Sequence, residues 1–227
     1  MSRPSDSKPI GSTTATSPPA LLMTPPPDTQ YHHGDLPNAL RRAAVDVIDE
    51  KGLGSFSLRE VARRAGVSHA APAHHFGDTQ GLLTSLAIEA FGHLERETAA
   101  AAAAVEDPVE RLRAIGRGYV RIGVDHPAHC QLLFRQDVVD VNAAEYKAAG
   151  EAAYAVLEEA VDRVADAINP DLDRAQAAKL CWASMQGLIV LHQSMAALDE
   201  DAGRHPQSLD ELVTAFTDLT IEGLRSR

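Results

Sequence analysis

Hydrophobic residues recur at three- and four-residue intervals from Asp35 almost to the end of the chain, which is the spacing of an amphipathic α-helix. The first periodic stretch follows Asp35 and Pro37, a capping residue and a proline suited to a first helical turn, and it stops at Gly52. No segment shows the alternation typical of a β-strand, and no internal repeat is present. The pattern predicts an all-α fold.

Local capping signals delimit two short helices after Gly52. Ser57 and Glu60 form a capping box, in which the Ser57 hydroxyl accepts a backbone N–H and the Glu60 carboxylate reaches back to the start of the helix. Gly66 ends this second helix. Ser68 is predicted to cap a third helix that runs to about Phe76.

The later helices are delimited in the same way. Asp78 is predicted to cap the fourth, and Asp107 followed by Pro108 opens the fifth. Ser208 and Glu211 make a second capping box. The stretches predicted to be helical beyond the break at 126–127 are a short one through 132–134, about 142–168, about 173–198 and about 208–225.

Residues 1–30 differ from the rest in composition. They contain seven prolines, five serines and five threonines, and they carry no net charge. Such a segment buries too little apolar surface to offset its chain entropy, so we expect it to be disordered. The remainder is rich in alanine and poor in aromatic residues, which favours helices over strands.

The formal net charge of −11 argues at first against a nucleic-acid partner. The distribution of the charge weakens that objection. Residues 31–80 carry six basic and six acidic side chains, and the excess of acidic side chains lies in residues 81–227. Charges more than about 8–10 Å away are largely screened at physiological salt. A neutral segment on an acidic body can therefore still meet phosphates.

Cysteine content and hydropathy indicate a cytoplasmic location. Cys130 and Cys181 lie in apolar surroundings without metal or redox spacing, as reduced buried thiols do. No secretory signal is visible, and no apolar run reaches membrane-spanning length. We expect neither a membrane partner nor a cofactor.

Residues 57–76 have the organisation of a helix-turn-helix. Two short helices flank a turn centred on Gly66, which can adopt the positive backbone dihedral that such a turn needs. The second helix of such a motif enters the DNA major groove, and Ser68 at its start leaves backbone N–H groups to meet a phosphate. The alternative is a small three-helix domain with a purely supporting role.

The same residues resemble the N-terminal domain of TetR-family transcriptional regulators over residues 31 to about 95. The segments that carry the resemblance are YHHGDL at 31–36, SLREVA at 57–62, GVS at 66–68 and HF at 75–76. The resemblance implies an N-terminal three-helix helix-turn-helix domain at 31–80 and a larger α-helical ligand-binding and dimerisation domain at 81–227. It also implies double-stranded DNA and an unknown small-molecule effector as partners.

The chain departs from the family pattern at two positions. Ala73 stands where the family usually has a tyrosine in the reader helix, and Thr79 where a lysine usually opens the next helix. Both usual residues contact the DNA backbone, so their loss should weaken binding and flatten its salt dependence. The residues that remain as DNA-binding candidates are Arg59, Ser68, His69, Ala70, Ala71, His74, His75 and Thr79.

The helix predicted at about 173–198 is apolar on two faces, so it needs two packing partners. One partner is its own domain. The other is predicted to be the same helix and the helix at about 208–225 of a second chain, which would form a four-helix homodimer interface. Gly187 would allow close approach of the two chains, and burial within one large domain is the alternative.

A ligand-responsive protein needs a pocket, and bulky residues with polar tips are the candidates for its lining. This candidate ligand-binding set comprises Tyr119, Ile122, His126, Phe134, Tyr154, Trp182, Met185 and Gln186. Trp182, Gln186 and Gly187 resemble a degraded Trp-His-Gly signature of one C-terminal subfamily, with glutamine in place of histidine.

One further group of residues bears on two other classes of function. His126, His129 and Cys130 suggest a metal site or a cysteine nucleophile with its base, but they lack a carboxylate at fixed spacing and a catalytic motif. We therefore expect no metal and no enzyme activity. A ligand-responsive repressor on a pseudo-palindromic operator and a dimeric small-molecule-binding protein with weakened DNA affinity remain as the two hypotheses.

Overall fold

The computed structural model describes residues 35–202 and 208–225. Within these ranges the chain forms nine α-helices and a 3-10 turn at Leu53–Ser55, without any strand. The helices are α1 (Leu36–Lys51), α2 (Leu58–Ala65), α3 (Ala71–Phe76), α4 (Thr79–Ala103), α5 (Pro108–Asp125), α6 (Pro127–Leu132), α7 (Ala144–Ile168), α8 (Arg174–Ala202) and α9 (Leu209–Arg225). The all-α prediction is confirmed, and the tail predicted at 1–30 lies outside the described residues.

Several predicted caps are present as hydrogen bonds. Asp78 Oδ1 accepts the Gly81 N–H at 2.8 Å at the start of α4, and Asp107 Oδ1 accepts the Glu110 N–H at 2.9 Å at the start of α5. The capping box of α9 is closed in both directions, because Ser208 Oγ accepts the Glu211 N–H and the Ser208 N–H donates to Glu211 Oε2. These bonds satisfy backbone donors that a helix start leaves without intrahelical partners.

Three other caps differ from the sequence expectation. Asp35 precedes α1, but its carboxylate accepts from the Asn38 side chain and makes no capping bond to a backbone N–H. Ser57 Oγ accepts the Glu60 N–H at 3.3 Å, but the Glu60 carboxylate pairs with Lys51 and Arg63 instead of reaching back. Ser68 does not cap α3 with its hydroxyl, since α3 begins at Ala71 and Ser68 contributes its carbonyl to the Ala71 N–H at 3.0 Å.

The core of the N-terminal part is built from the inward faces of α1, α2 and α4. Leu40 and Val47 of α1, Val61 of α2 and Leu82 of α4 are fully buried in one cluster. Leu132 of α6 joins the same cluster, so the helix-turn-helix shares its core with later helices. The domain division near residue 80 stays a prediction.

Helix α4 continues from this core into the C-terminal part of the fold, where it packs on α5 and α7. There α5, α7 and α8 enclose a second cluster around Leu112, Val161 and Cys181, and α5, α8 and α9 a third around Val120 and Val213. Helix α4, which is 25 residues long, therefore contacts both the N-terminal and the C-terminal part of the fold.

Among the helices of the described ranges, none combines the length and apolarity needed to span a bilayer. The cytoplasmic location stays a prediction.

Candidate functional site

The turn between α2 and α3 has the geometry that the sequence predicts for a helix-turn-helix. Gly66 is left-handed at φ 70°, and the Val67 N–H donates to the Ala62 carbonyl at 3.0 Å. The Val67 side chain packs against the cluster that holds Val61. The turn therefore fixes α3 against α2 while leaving the outer side of α3 open.

Most of the residues predicted to bind DNA are exposed on α3 or on the adjoining parts of the chain. Pro72 is the buried residue of α3, and Ala71 is half-buried. The exposed members of the predicted set are Arg59, Ser68, His69, Ala70, His74, His75 and Thr79. Ala73, which departs from the family pattern, is also exposed.

Ion pairs hold α2 against α1 beside this surface. Glu60 bonds Arg63 at 2.7 Å and Lys51 Nζ at 2.8 Å, and these two cations lower the pKa of Glu60 to about 2. Arg64 pairs with Glu50 of α1, and that pairing lowers the pKa of Glu50. The guanidinium groups of Arg63 and Arg64 are therefore engaged within the protein.

A cavity of about 370 Å³ lies among α4, α5, α7, α8 and α9. Its wall is apolar, with one residue from each helix represented by Leu94, Ile115, Leu157, Met185 and Ile221. A pocket of this size and character accommodates a small organic molecule.

The structure brings together part of the predicted ligand-binding set. Tyr119, Phe134, Tyr154, Trp182 and Met185 line the cavity. Ile122, His126 and Gln186 do not: Ile122 is buried against Leu94 and Ala153, and His126 is exposed at the junction of α5 and α6. Gln186 lies directly behind the lining, where it bonds Tyr119.

A hydrogen-bonded chain of three side chains joins α5 to α8 at the cavity wall. The Trp182 Nε1–H donates to Tyr119 Oη at 3.0 Å, and the Tyr119 hydroxyl donates to Gln186 Oε1 at 2.8 Å. Burial raises the pKa of Tyr119, so its hydroxyl keeps its proton. The Trp182 ring also contacts Phe134 and Tyr154, with ring centroids 5.7 and 5.6 Å apart.

Replacing Tyr119 by phenylalanine should lower the free energy of unfolding by about 1–2 kcal/mol, because Gln186 loses a part-buried partner and the Trp182 N–H loses one at the surface. Urea unfolding followed by circular dichroism measures the change. Tyr154→Phe is the matched control, since the Tyr154 hydroxyl makes no hydrogen bond within the described residues. Equal losses for both variants would contradict the bonded chain.

Sequence reasoning missed the small residues of the lining. Thr98, Gly116, Gly150, Ala153 and Thr217 form part of the wall. Small side chains carry no signal of their own in a sequence, yet their size is what leaves the space open. Only the helical register relative to Tyr119 and Met185 could have indicated Gly116 and Ala153.

His126 belongs to a separate cluster of three histidines. Its ring lies 6.1 Å from those of His93 and His129, measured between centroids, and His129 lies 6.2 Å from His93. Burial lowers the pKa of His129, whose Nε2 has no hydrogen-bond partner. In the described part of the chain, no group of three or more histidine, cysteine or acidic side chains is arranged to hold a metal ion.

Burial raises the pKa of both cysteines, Cys130 and Cys181, to about 11. A thiol with such a pKa stays protonated at neutral pH, which is the state of a structural cysteine and not of a nucleophile.

Comparison with known families agrees with this geometry. Residues 40–86 match the family described as bacterial regulatory proteins, tetR family, and residues 112–217 match the tetracyclin repressor-like C-terminal domain. The two matches together include the helix-turn-helix and most of the cavity lining. The chain belongs to the TetR family.

Individual TetR-family relatives are similar to different extents. The HTH-type transcriptional regulator BetI of Stenotrophomonas maltophilia is 38% identical over 80 residues, which are 35% of this chain and 41% of BetI. The chain thus spans about two fifths of the length of the curated relatives it matches.

Solved structures extend the likeness over most of the fold. A protein of unknown function from Rhodococcus sp. RHA1 is 30% identical, with a TM-score of 0.72 over 87% of this chain and 100% of that chain. The TetR-family regulator PfmR of Thermus thermophilus has a TM-score of 0.65 at 22% identity, over 82% of this chain and 98% of PfmR. At that identity the second likeness concerns the fold alone.

The outward side of α8 and α9 is unusually apolar for a surface left in solvent. Leu180 is 46% exposed, Leu191 57% and Leu219 72%. Leu180 and Leu219 line a groove between the two helices, together with Ser184 and Phe216. Gly187 has no other atom within 4 Å of the position that a Cβ would take.

Proposed function

We propose that this chain is a ligand-responsive transcriptional repressor that binds a pseudo-palindromic operator as a homodimer through α2 and α3. The observation that carries the proposal is the exposed outer face of α3, held on a helix-turn-helix whose residues 40–86 match tetR-family regulatory proteins. In such a complex α3 lies in the major groove, and the two copies read half-sites about one helical turn apart.

The proposed contacts follow from position. Arg59, Ser68 and Thr79 are exposed around α3, so we assign them to phosphates of the DNA backbone. His74 and His75 are exposed on α3 and His69 is exposed in the turn before it, so we assign these three residues to phosphates or base edges. Ala70 and Ala71 leave room for close approach to the groove floor.

The homodimer would form through α8 and α9. Their outward leucines are the largest exposed apolar side chains of the described residues outside the cavity mouth. Two copies related by a twofold axis would cover this face with the same face of the partner, as in a four-helix interface.

The chemistry of the cavity indicates an effector with a large apolar part. Thr98, Thr217 and Thr220 line the cavity, but their hydroxyls already donate to carbonyls of their own helices. The Tyr119 hydroxyl is engaged by Trp182 and Gln186. A ligand that carried several polar groups into the interior would lose its water without gaining partners there, which is unfavourable. Lys179, an exposed residue of the lining, offers a partner to a single anionic group.

Helix α4 couples the two sites in this proposal. Its first residues pack against α3, and Leu94 and Thr98 of the same helix line the cavity. An effector that binds better to one tilt of α4 would shift the population towards that tilt and move the two α3 helices away from operator spacing.

Selection of duplexes from a random-sequence pool, carried out at about pH 6 and about pH 8, tests the DNA-binding part. A repressor enriches a pseudo-palindrome, and the enriched duplex binds the purified protein in a salt-dependent way. Thermal-shift screening with apolar and polar small molecules then tests the cavity. Failure to enrich any sequence under either condition would refute the proposal.

Ala73 and Thr79 favour a second candidate, a dimeric small-molecule-binding protein of the same fold with weak DNA affinity. Restoring the side chains that the resemblance implies, with Ala73→Tyr and Thr79→Lys, should then raise operator affinity about tenfold or more, because each added phosphate contact strengthens binding. Fluorescence anisotropy with the selected duplex measures the gain. Nanomolar binding by the natural chain with little gain in the double variant would exclude this candidate.

A further inference from the structure

The DNA-facing part of the chain has an unusual distribution of cations. Residues 65–95 contain neither lysine nor arginine, although they include all of α3 and the first part of α4. The same stretch contains four histidines. Three of them, His69, His74 and His75, are exposed on α3 or in the turn before it, and we call this surface the reader face. Residues 65–95 therefore bring no permanent positive charge to the surface that would meet the phosphates.

The neighbouring helices α1 and α2 fill little of this gap, because most of their basic side chains are engaged in ion pairs. Of the six basic side chains in residues 35–80, Arg59 is the one that forms no ion pair within the described part of the chain. The other five are held in the pairs Arg41–Glu89, Arg42–Asp35, Lys51–Glu60, Arg63–Glu60 and Arg64–Glu50.

The three reader histidines are not neutralised by carboxylates. His74 and His75 have ring centroids 5.4 Å apart, His75 also contacts Phe76, and no ion pair joins any of the three to an acidic residue of the described ranges. The charged groups of α1, of α2 and of α4 as far as Glu89 are the paired residues named above, together with Arg59 on α2, Asp46 and Asp49 on α1, and Asp78 at the start of α4. The later part of α4 adds His93, Glu95, Arg96 and Glu97. Asp78 is engaged in capping the Gly81 N–H, and Arg41 lies over the Phe76 ring.

We propose that His69, His74 and His75 are the phosphate-binding cations of the reader face, so that binding of DNA is coupled to uptake of protons by these side chains. The inference rests on the proposed function and adds a regulating variable to the same site. DNA presents one phosphate charge per about 1.7 Å of helix axis, so a protonated histidine on this face meets an anion and a neutral one does not.

The direction of the effect follows from the charge. Histidine ordinarily changes its charge between about pH 5 and 8, and the protonated form is the one that phosphate stabilises. Binding is therefore strong on the acid side of that interval and is lost as the pH rises through it.

Anisotropy titrations with the selected duplex at about pH 6 and about pH 8 test the inference. The association constant should be about tenfold or more higher at the lower pH, and the slope of its logarithm against the logarithm of salt should be steeper there by about 0.9 for each added phosphate contact. Calorimetry in two buffers of different ionisation enthalpy should show net proton uptake on binding.

Substitutions test whether these three histidines are the residues that take up the protons. The triple variant His69→Gln, His74→Gln, His75→Gln should bind with the same weak affinity at both pH values, and His74→Lys with His75→Lys should bind strongly at both. His93→Gln is the matched control, because His93 is a half-exposed histidine of α4 outside the reader face, and it should keep the wild-type pH dependence. All substituted positions are exposed or half-exposed, so circular dichroism is expected to be unchanged.

The outcomes separate the inference from the proposed function. Absence of DNA binding at either pH would overturn both. Sequence-selective binding with equal affinity at both pH values, or a pH dependence that survives the triple glutamine variant, would overturn the proton coupling and leave the repressor assignment intact.

Discussion

Arginine at both Leu180 and Leu219 should convert the dimer to a monomer and weaken operator binding by about a hundredfold or more. The two leucines line one groove on the exposed side of α8 and α9, and Leu219 is 72% exposed in the single chain. In a twofold interface the change introduces four charges into apolar surroundings, where they lack partners and water. Loss of the dimer then removes the gain in affinity that comes from binding two half-sites with one molecule.

Sedimentation equilibrium measures the association state, and anisotropy with the selected duplex measures affinity. The control is a charge-matched pair on α7, Ala155→Arg with Ala167→Arg, at two exposed positions that do not line the groove. Because added arginines favour DNA through charge alone, a loss of affinity in the first pair reflects the interface. A Leu180/Leu219 variant that stays dimeric would place the interface elsewhere.

The helices of this fold are predictable from sequence because their signals are local. Periodicity gives each helix, and Asp78, Asp107 and Ser208 form the caps that their sequence neighbourhoods indicate. A predicted capping bond is missing where a residue from another helix competes for the same side chain. The Glu60 carboxylate was expected to reach back to the start of its own helix, but it forms an ion pair with Lys51 of α1 instead.

The cavity was predicted less completely than the helices, and the reason is physical. Bulky residues with polar tips are visible in a sequence, and Tyr119, Tyr154 and Trp182 do line the space. A cavity exists, however, where side chains are missing, as at Gly116 and Gly150, and no local pattern marks an absence. Which bulky residues face inward depends on helix packing, so His126 was placed with the cavity residues although it lies in a histidine cluster.

The reader face was likewise predicted only in part from the sequence. Its position and exposure follow from the helix-turn-helix pattern, because Gly66 and Val67 fix the turn locally. The pairing of Arg41 with Glu89 and of Arg64 with Glu50 joins residues far apart in sequence, so the shortage of unpaired cations became evident only in the fold.

Gly81→Ala should disturb the junction of α3 and α4 more than any other single methyl addition within the described residues. A Cβ at Gly81 would lie 1.9 Å from the Phe76 carbonyl oxygen, a backbone atom at the end of α3. Relief requires α3 or the first turn of α4 to move by about 1 Å or more, and forced overpacking of this kind costs about 1–3 kcal/mol. Because α3 is the proposed reader helix, we expect operator affinity to fall together with the unfolding midpoint in urea.

The matched control for this prediction is Gly92→Ala in the same helix. A Cβ at Gly92 meets only the Arg96 guanidinium at 3.2 Å, the far end of a flexible side chain, so the substitution should be neutral or stabilise α4 by up to about 1 kcal/mol through helix propensity. If Gly81→Ala proved as stable and as active in DNA binding as Gly92→Ala, the contact between Gly81 and Phe76 would not constrain the reader helix. Loss of both properties in Gly81→Ala alone would identify this junction as the point where α4 holds α3 in position, which is the mechanical link that an effector in the cavity requires.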